Sequence, residues 1–330
     1  MSIASFRHQL ALTLSGLVLT GLVASARAET WDMPMAYPDS NYHTQNAKDF
    51  AAAVKTATGG KLDITVHGGG SLFGGADIKR AVQTGQAQIG ERLLSAHQNE
   101  NPLYGFDSVP FLATSFEDSD KLWQAARPAL EKRLEKDNLV LLYAVPWPGQ
   151  GLYFKKEVSS KADAKGVKFR AYNAATARLA ELMEMQPVQV EAAELSQALS
   201  TGVVESMISS GSTGYDSKVW EQLTHFYDVN AWLPRNSVFV NKDAWDKLDE
   251  PTRNAVRGVA LMAEKAGTAR AHQLADWYVA QLAANGMQTR MAGEQLRKDL
   301  EAIGATMTDE WKTAAGEEGT AILDAYQKLK

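Results

Sequence analysis

The 330-residue chain contains no cysteine. This absence excludes disulfide bonds, thiolate metal sites and cysteine nucleophiles together, so the fold must be stabilised by its core. Basic residues are also in deficit, with 34 Lys and Arg against 39 Asp and Glu and a formal net charge of −5. Because a protein that binds nucleic acid favours a basic face, we expect no nucleic-acid partner.

Long apolar runs are confined to the first 28 residues. Arg7 and His8 are followed by an almost uninterrupted apolar run from Leu10 to Val23, and then by the sequence Ala-Arg-Ala. This pattern is typical of a secretory signal with an A-x-A cleavage site, and the run is shorter than the ~20 residues of a spanning helix. We predict export, cleavage after Ala28 and a soluble mature protein. A membrane anchor is the alternative.

A strand–helix–strand–helix–strand order occurs twice along the chain. In the first unit the predicted strands are 30–36, 61–66 and 87–90, and the helices are 44–58 and 76–84. In the second unit the strands are 167–170, 187–190 and 203–208, and the helices are 174–185 and 192–201. The segments Asp77–Gly85 and Glu194–Gly202 share an acid, apolar residues and Thr-Gly at matching offsets. Chance similarity between two amphipathic helices is the alternative to a true repeat.

The repeat predicts the fold class α/β, with two lobes that each contain a mostly parallel sheet flanked by helices. Such lobes leave a ligand cleft between them. A further strand is predicted at 236–241. A helical pattern from Pro251 to Asn285 would be about 50 Å long, enough to brace both lobes. We assign 29–150 and about 237–270 to lobe I, and 151–236 and about 271–330 to lobe II.

Arg170 closes the predicted strand of the second unit, directly before a helix. Open α/β sheets bind ligands at the carboxyl ends of their strands, and a guanidinium matches a carboxylate with two parallel hydrogen bonds. Arg170 is therefore the predicted anchor for an anionic ligand. A structural ion pair or a solvated strand end is the alternative.

No motif for catalysis or for a cofactor stands out. The glycine cluster at 68–75 has no lysine after it and carries Phe73 where a dinucleotide-binding loop needs glycine, so we interpret it as a turn at the edge of the cleft. No two histidines have metal-ligand spacing, and His43 is expected to support a helix start or to line the cleft. We predict no enzyme activity, no cofactor and no metal. An exported enzyme stays open as an alternative, which turnover of a bound acid would reveal.

Several segments occur in an order typical of one family. They are Tyr42-His43, Thr58-Gly59-Gly60-Lys61, Ser108–Leu112, Gly166–Arg170 and Leu199–Glu205. With the exported leader, they resemble the solute-binding protein of tripartite ATP-independent periplasmic (TRAP) transporters. The resemblance implies a two-lobed periplasmic protein that closes on a small organic acid and delivers it to the small and large membrane subunits of a permease. It also implies that Arg170 clamps the ligand carboxylate, and we expect a monomer.

Two departures from the family pattern bear on the ligand. Many members carry a second arginine about twenty residues before the clamp, where this chain has Gln150. The family's Asp-Gly-Gln-Glu-Asn is absent, which makes Ser209 or Ser210 the candidate partner of the carboxylate. We expect an aromatic or hydroxy monocarboxylate, with a sugar acid (uronate or aldonate) or a protein feeding a membrane sensor as alternatives. The other candidate ligand contacts are His43, Phe73, Glu91, Arg92, Trp147, Tyr172, Asn173 and Tyr215.

Overall fold

The computed structural model describes residues 28–330. The predicted signal peptide therefore lies outside the described residues, apart from its last residue, Ala28. Within the described range, no helix combines the length and the apolar character needed to cross a membrane.

The described chain forms two lobes, each built around β-strands. The strands of lobe I are β1 (Glu29–Pro34), β2 (Leu62–His67), β3 (Ile89–Leu93), β4 (Leu139–Pro146) and β10 (Arg235–Asn241). The strands of lobe II are β5 (Gln150–Phe154), β6 (Lys168–Ala171), β7 (Gln186–Gln189), β8 (Ser206–Ser210), β9 (His225–Asp228) and β11 (Gln288–Met291). The prediction of a two-lobed α/β fold is confirmed.

Both lobes contain parallel and antiparallel strand pairings: three of the five pairings in lobe II are parallel, as expected, but only one of the three in lobe I. In lobe I, β1 pairs with β2 in parallel, whereas β10 runs antiparallel to both β3 and β4. In lobe II, the order is β11-β9-β5-β8-β6-β7, and β5 runs antiparallel to both of its neighbours. The reason is connectivity. The chain enters β5 directly from lobe I and enters β10 directly from lobe II, so these two strands run away from the cleft while their neighbours run towards it.

Helices cover both lobes. Their bounds are α1 (Tyr42–Ala57), α2 (Ile78–Gln83), α3 (Phe116–Lys136), α4 (Lys161–Ala164), α5 (Ala174–Leu182), α6 (Leu195–Ser200), α7 (Gly211–Asp216), α8 (Lys242–Lys247), α9 (Glu250–Ala284) and α10 (Glu294–Leu329). Polar caps define several starts: the Asp249 side chain accepts from the backbone N–H of Thr252 (2.7 Å) at the start of α9. Gly316, with φ of 59°, breaks the helical path within α10.

The long helix α9 packs against both lobes. It contacts α1 and β4 on one side of the cleft and α7 and β11 on the other. The approach to β4 is close, because a Cβ on Gly267 would lie 2.6 Å from a methyl group of Val145. Helix α10 likewise contacts α3 of lobe I and α5 of lobe II. The predicted bracing helix is thus found, while the exact division of the chain between the lobes stays a prediction.

The two repeated segments fold alike. In each copy a 3₁₀ turn, Gly75–Asp77 or Ala192–Glu194, leads into the short helix α2 or α6. Each copy then ends at a glycine with positive φ, 76° at Gly85 and 71° at Gly202. A left-handed residue after a helix favours glycine, which explains why the Thr-Gly pair recurs.

The core consists of two clusters of buried side chains. The larger one fills lobe I and continues across the segments that join the lobes, with Trp31, Tyr143 and Trp232 among its bulkiest members. The smaller one lies on one face of the lobe II sheet, where Met207 and Phe226 pack against α6. Burial of this apolar surface takes the place of the disulfides that the sequence lacks.

Candidate ligand-binding site

A cavity of about 40 Å³ lies between the lobes, beside the two segments that cross from one lobe to the other. These crossing segments, 147–150 and 231–234, pair through backbone hydrogen bonds from Trp147 to Pro234 (2.7 Å) and from Gln150 to Trp232 (3.0 Å). The predicted ligand contacts that line the cavity are Arg92, Trp147, Gln150, Arg170, Tyr172, Ser209 and Ser210.

Arg170 supplies an uncompensated positive charge. Its side chain is only 3 % exposed, and no acid within residues 28–330 forms an ion pair with it. Its Nε donates to the carbonyl of Val190 (2.9 Å), and its guanidinium lies over the ring of Tyr172. Burial lowers the pKa of Arg170, but an arginine stays charged because its ordinary pKa is so high. A buried cation of this kind requires an anion.

A second cation, Arg92, is already neutralised. Its guanidinium bonds the Glu191 carboxylate with both nitrogens, Nη2 to Oε1 at 2.9 Å and Nη1 to Oε2 at 3.1 Å. Arg92 belongs to β3 of lobe I and Glu191 follows β7 of lobe II, so this ion pair joins the two lobes. The lining as a whole therefore carries one net positive charge, that of Arg170.

The remaining polar groups of the cavity are neutral. Tyr172 donates to Oε1 of Gln150 (3.1 Å) and accepts from the indole N–H of Trp232 (3.2 Å). Gln150 in turn donates to the carbonyl of Pro148 (3.0 Å). Burial raises the pKa of Tyr172 and raises that of Tyr37 to about 12, so both phenols stay protonated at neutral pH. The site offers fixed dipoles and no second free charge.

Ser209 and Ser210 lie at the end of β8. The Ser210 hydroxyl accepts from the backbone N–H of Thr213 (3.2 Å) and thereby starts α7. Thr213 itself lines the cavity. The hydroxyl of Ser210 is partly used by this cap, which leaves Ser209 as the serine more available to a ligand.

Glu91 and His43 do not line the cavity but lie behind Trp147. The Trp147 indole donates to Oδ1 of Asn236 (2.8 Å), and Nδ2 of Asn236 donates to Glu91 (2.8 Å). His43 Nδ1 lies 3.8 Å from Glu91, near enough for an ion pair. Burial, however, lowers the pKa of His43 well below its usual value and raises that of Glu91 to about 8, so both are neutral at pH 7. These groups hold Trp147 in place.

Three other predicted contacts also lie off the cavity lining. Asn173 caps α5 by accepting from the N–H of Thr176 (2.8 Å) and donates to the Ser95 hydroxyl of lobe I (2.9 Å). Tyr215 packs against Trp277, with ring centres 5.0 Å apart, and Phe73 is half-buried against the core. Their side chains are occupied by these structural contacts.

The sequence analysis missed Tyr37 and Glu191, which both line the cavity. Tyr37 follows the end of β1 and Glu191 follows the end of β7. The rule that pointed to Arg170, a polar side chain just past a strand, would have found both.

Comparisons with known proteins agree with this geometry. Residues 34–315 match the family model for bacterial extracellular solute-binding protein, family 7, and the chain belongs to this family. A marine metagenome TRAP solute-binding protein specific for pyroglutamate is 57% identical, with a TM-score of 0.90 over 91% of this chain and 99% of that one. A Bordetella pertussis extracytoplasmic solute receptor that binds pyroglutamic acid is 47% identical, with a TM-score of 0.89 over 91% and 100% of the two chains.

A more distant relative is a monocarboxylate 2-oxoacid-binding periplasmic protein of Nostoc sp., 26% identical over 227 residues. The match covers 66% of this chain and 61% of that relative's length. The predicted resemblance to TRAP solute-binding proteins is confirmed by the family and by its solved members. The family is one of extracytoplasmic transport proteins rather than enzymes, which places the chain in the periplasm. TRAP solute-binding proteins bind small organic acids and work with TRAP membrane components.

Proposed function

We propose that this protein captures pyroglutamate in the periplasm by hinge closure and delivers it to the membrane subunits of a TRAP transporter. The observation that carries this proposal is the buried, uncompensated guanidinium of Arg170 in a small cavity between the lobes. Solved relatives at 57% and 47% identity bind pyroglutamate or pyroglutamic acid, and this supports the same ligand here.

The charge of the cavity favours a monocarboxylate. Arg170 provides one positive charge, and the pair of Arg92 with Glu191 adds none. Pyroglutamate carries one carboxylate and no other ionised group, so its charge matches that of the lining. A dicarboxylate would bring a second negative charge with no cation left to receive it, which is costly in a buried site.

The uncharged part of the ligand also suits the lining. Pyroglutamate is a five-membered lactam with one N–H donor and one C=O acceptor. The cavity presents hydroxyl and amide groups, Ser209, Thr213 and Gln150, beside the aromatic faces of Tyr37 and Trp147. A compact ring can pack on the aromatic faces while its amide bonds the polar groups.

Larger or more hydroxylated acids fit less well. A uronate or aldonate brings several hydroxyls that each need a partner once they are removed from water. In this cavity Gln150 and Tyr172 are bonded to each other and Ser210 to a helix start, so few partners are free. The proposal thus replaces the earlier expectation of an aromatic or hydroxy acid with a cyclic amide acid.

Contacts across the cleft support hinge closure. Asn41 of lobe I donates to Asp216 of lobe II (2.7 Å), and the bonds from Asn173 to Ser95 and from Arg92 to Glu191 also join the lobes. A ligand held by Arg170 adds contacts that exist only when the lobes meet, and it therefore favours the closed state.

The test is calorimetric titration of the mature protein after unfolding, dialysis and refolding to remove any co-purified ligand. We expect L-pyroglutamate to bind, and glutamate, in which the lactam ring is opened, to bind about a hundredfold more weakly. L-Proline keeps the five-membered ring but has a charged amine in place of the neutral lactam, and it should also bind more weakly than pyroglutamate. Tighter binding of gluconate or of benzoate than of pyroglutamate would refute the proposal.

Cleavage after Ala28 and a monomeric state belong to the same proposal. The intact mass of protein secreted to the periplasm tests the first, since a mature N-terminus at Glu29 gives one defined value. Light scattering with and without pyroglutamate tests the second, and a stable dimer in either condition would contradict it.

A further inference from the structure

Three charged side chains line the cavity within the described part of the chain: Arg92, Arg170 and Glu191. Two of them are buried arginines, at 4 % and 3 % exposure, so the cavity contains the cations needed for a ligand with two carboxylates. Glu191 prevents a second ligand carboxylate from binding Arg92, because its own carboxylate accepts hydrogen bonds from both Nη1 and Nη2 of Arg92.

The ion pair of Arg92 with Glu191 is closely fitted to its surroundings. Gly75 lies directly against it: a Cβ there would be 2.6 Å from Nη1 of Arg92 and 2.7 Å from Oε2 of Glu191. Any larger residue would therefore push the pair apart. Gly75 is the last residue of the glycine cluster that we interpreted from the sequence as a turn at the edge of the cleft, and its φ is not in the left-handed region. Space for the ion pair explains a glycine here, whereas backbone freedom does not.

We propose that Glu191 determines the charge class of the ligand, acting as a built-in second carboxylate that occupies Arg92 and so restricts the cavity to monocarboxylates. This inference rests on the proposed function and names the residue behind its selectivity. In the closed protein, the carboxylates of Glu191 and of the ligand each neutralise one arginine. A dicarboxylate would place its second carboxylate against that of Glu191.

Removal of Glu191 should therefore change the preference of the site from monocarboxylates towards dicarboxylates. In Glu191→Ala, Arg92 is left buried without a partner, and the lost side chain vacates the space beside it. We expect the dissociation constant for pyroglutamate to rise about tenfold or more, and that for a linear dicarboxylate, succinate or glutarate, to fall by a similar factor.

Three further variants separate charge from volume and from folding. Glu191→Gln keeps the volume but loses the charge, so it should weaken pyroglutamate binding with no gain for dicarboxylates. Glu194→Ala removes an exposed acid three residues further on and should change neither affinity. The double variant Arg92→Ala with Glu191→Ala should lose the gain for dicarboxylates, because the cation that receives the second carboxylate is absent.

The measurement is calorimetric titration of each variant with pyroglutamate, succinate and glutarate, with thermal unfolding as the check on folding. A gain of dicarboxylate binding in Glu191→Ala that depends on Arg92 supports the inference. It is overturned if the wild type already binds succinate or glutarate as tightly as pyroglutamate, or if Glu191→Ala folds and gains nothing. Should the wild type instead prefer another monocarboxylate, the choice of pyroglutamate is refuted, and the same variants titrated with that acid still decide the role of Glu191.

If Glu191→Ala does not fold, Gly75→Ala provides the second route. It leaves all charges in place but displaces the pair of Arg92 with Glu191. We expect weaker pyroglutamate binding without a gain for dicarboxylates. Unchanged pyroglutamate binding in a folded Gly75→Ala protein would show that the position of the ion pair of Arg92 with Glu191 does not matter for binding.

Discussion

The guanidinium carbon of Arg170 lies 5.0 Å from the centre of the Tyr172 ring. The ring covers one face of the planar guanidinium, and the Nε–H of Arg170 donates a hydrogen bond to the carbonyl of Val190. Because a guanidinium is rigid, these two contacts fix the direction of the remaining N–H groups. Under the proposed function, Arg170 is thus oriented before the ligand arrives, which lowers the entropy cost of binding.

This orientation predicts different losses for two substitutions. Arg170→Ala leaves the ligand carboxylate buried and unpaired, and we expect a cost of about 3–5 kcal/mol, or roughly a hundredfold to several thousandfold in affinity. Arg170→Lys keeps the charge but loses the two-pronged geometry and should recover only part of that loss. Calorimetry with pyroglutamate measures both. Arg297→Ala, at an exposed position on α10, is the control and should bind as the wild type does.

Glu91 makes the stability of the protein depend on pH. Its pKa is about 8 in the folded state because of burial, against an ordinary value of 4.5. Between these values the folded state holds a proton that the unfolded state has released, so stability falls as pH rises, by about 1.4 kcal/mol per pH unit. Above the folded pKa this dependence ends.

We therefore expect the free energy of unfolding of Glu91→Gln to increase relative to that of the wild type as the pH rises. A glutamine resembles the protonated acid and still accepts the hydrogen bond from Asn236. Urea unfolding at about pH 5.5 and about pH 8 should show the difference between variant and wild type growing by a few kcal/mol, on the order set by linkage. Asp107 also has a raised pKa, to about 7, and affects both proteins equally. A constant difference across this range would contradict the assignment.

Asp216 should make ligand binding depend on pH. It accepts from Asn41 across the cleft, and burial raises its pKa to about 6, from an ordinary 3.8. Opening of the lobes returns the carboxyl to water and its pKa to the usual range. Closure therefore takes up a proton between these values, and affinity should rise as the pH falls from about 6 towards 4.

The Asp216→Asn variant removes this titration while keeping an oxygen that accepts from Asn41. Dissociation constants measured at about pH 4.5, 5.5 and 7.5 should vary for the wild type and stay level for the variant. Pyroglutamate remains ionised through most of this range, as an ordinary carboxylic acid does. An equal slope in both proteins would place the titrating group elsewhere.

Two glycines of α9 should respond in opposite ways to alanine. At Gly267 a Cβ would lie 2.6 Å from Val145, so we expect Gly267→Ala to destabilise the fold by about 1–3 kcal/mol. At Gly258 nothing lies within 4 Å, and Gly258→Ala should stabilise the helix by about 0.5–1 kcal/mol. Urea unfolding of both variants provides the comparison. Similar effects at the two positions would show that α9 does not press on β4 as described.

The sequence predicted the elements of the two repeated units, β10 and α9 because their signals are local. It did not predict β4, β5, β9 and β11 or the long helices α3 and α10. For the long helix, a proline near the start and Asn-Gly at the end predicted both bounds of α9 to within one residue. The direction of β5 and β10 was not predictable, because an apolar pattern shows that a strand is buried but not which way its neighbours run. Their antiparallel course depends on where the chain crosses between the lobes.

The sequence likewise predicted those residues of the site that lie at strand ends, but not how their side chains pair. Arg170 lies near the end of β6 and Trp147 follows β4, and a general rule about strand ends brings both to the cavity. Gln150 begins β5 and was named only through the family resemblance. Whether a polar side chain is free for a ligand depends on distant partners. Arg92 meets Glu191 from 99 residues away, and Glu91 meets Asn236 from 145 residues away. A single sequence contains no signal for such pairs.

The crossing segments have a practical consequence. Each carries one buried tryptophan, Trp147 in the first and Trp232 in the second, and Trp232 bonds Tyr172 beneath the guanidinium of Arg170. Any rotation of one lobe against the other alters the surroundings of both indoles. The unlabelled protein thus contains its own fluorophores at the pivot, and its emission gives stopped-flow experiments a direct optical record of solute capture and release.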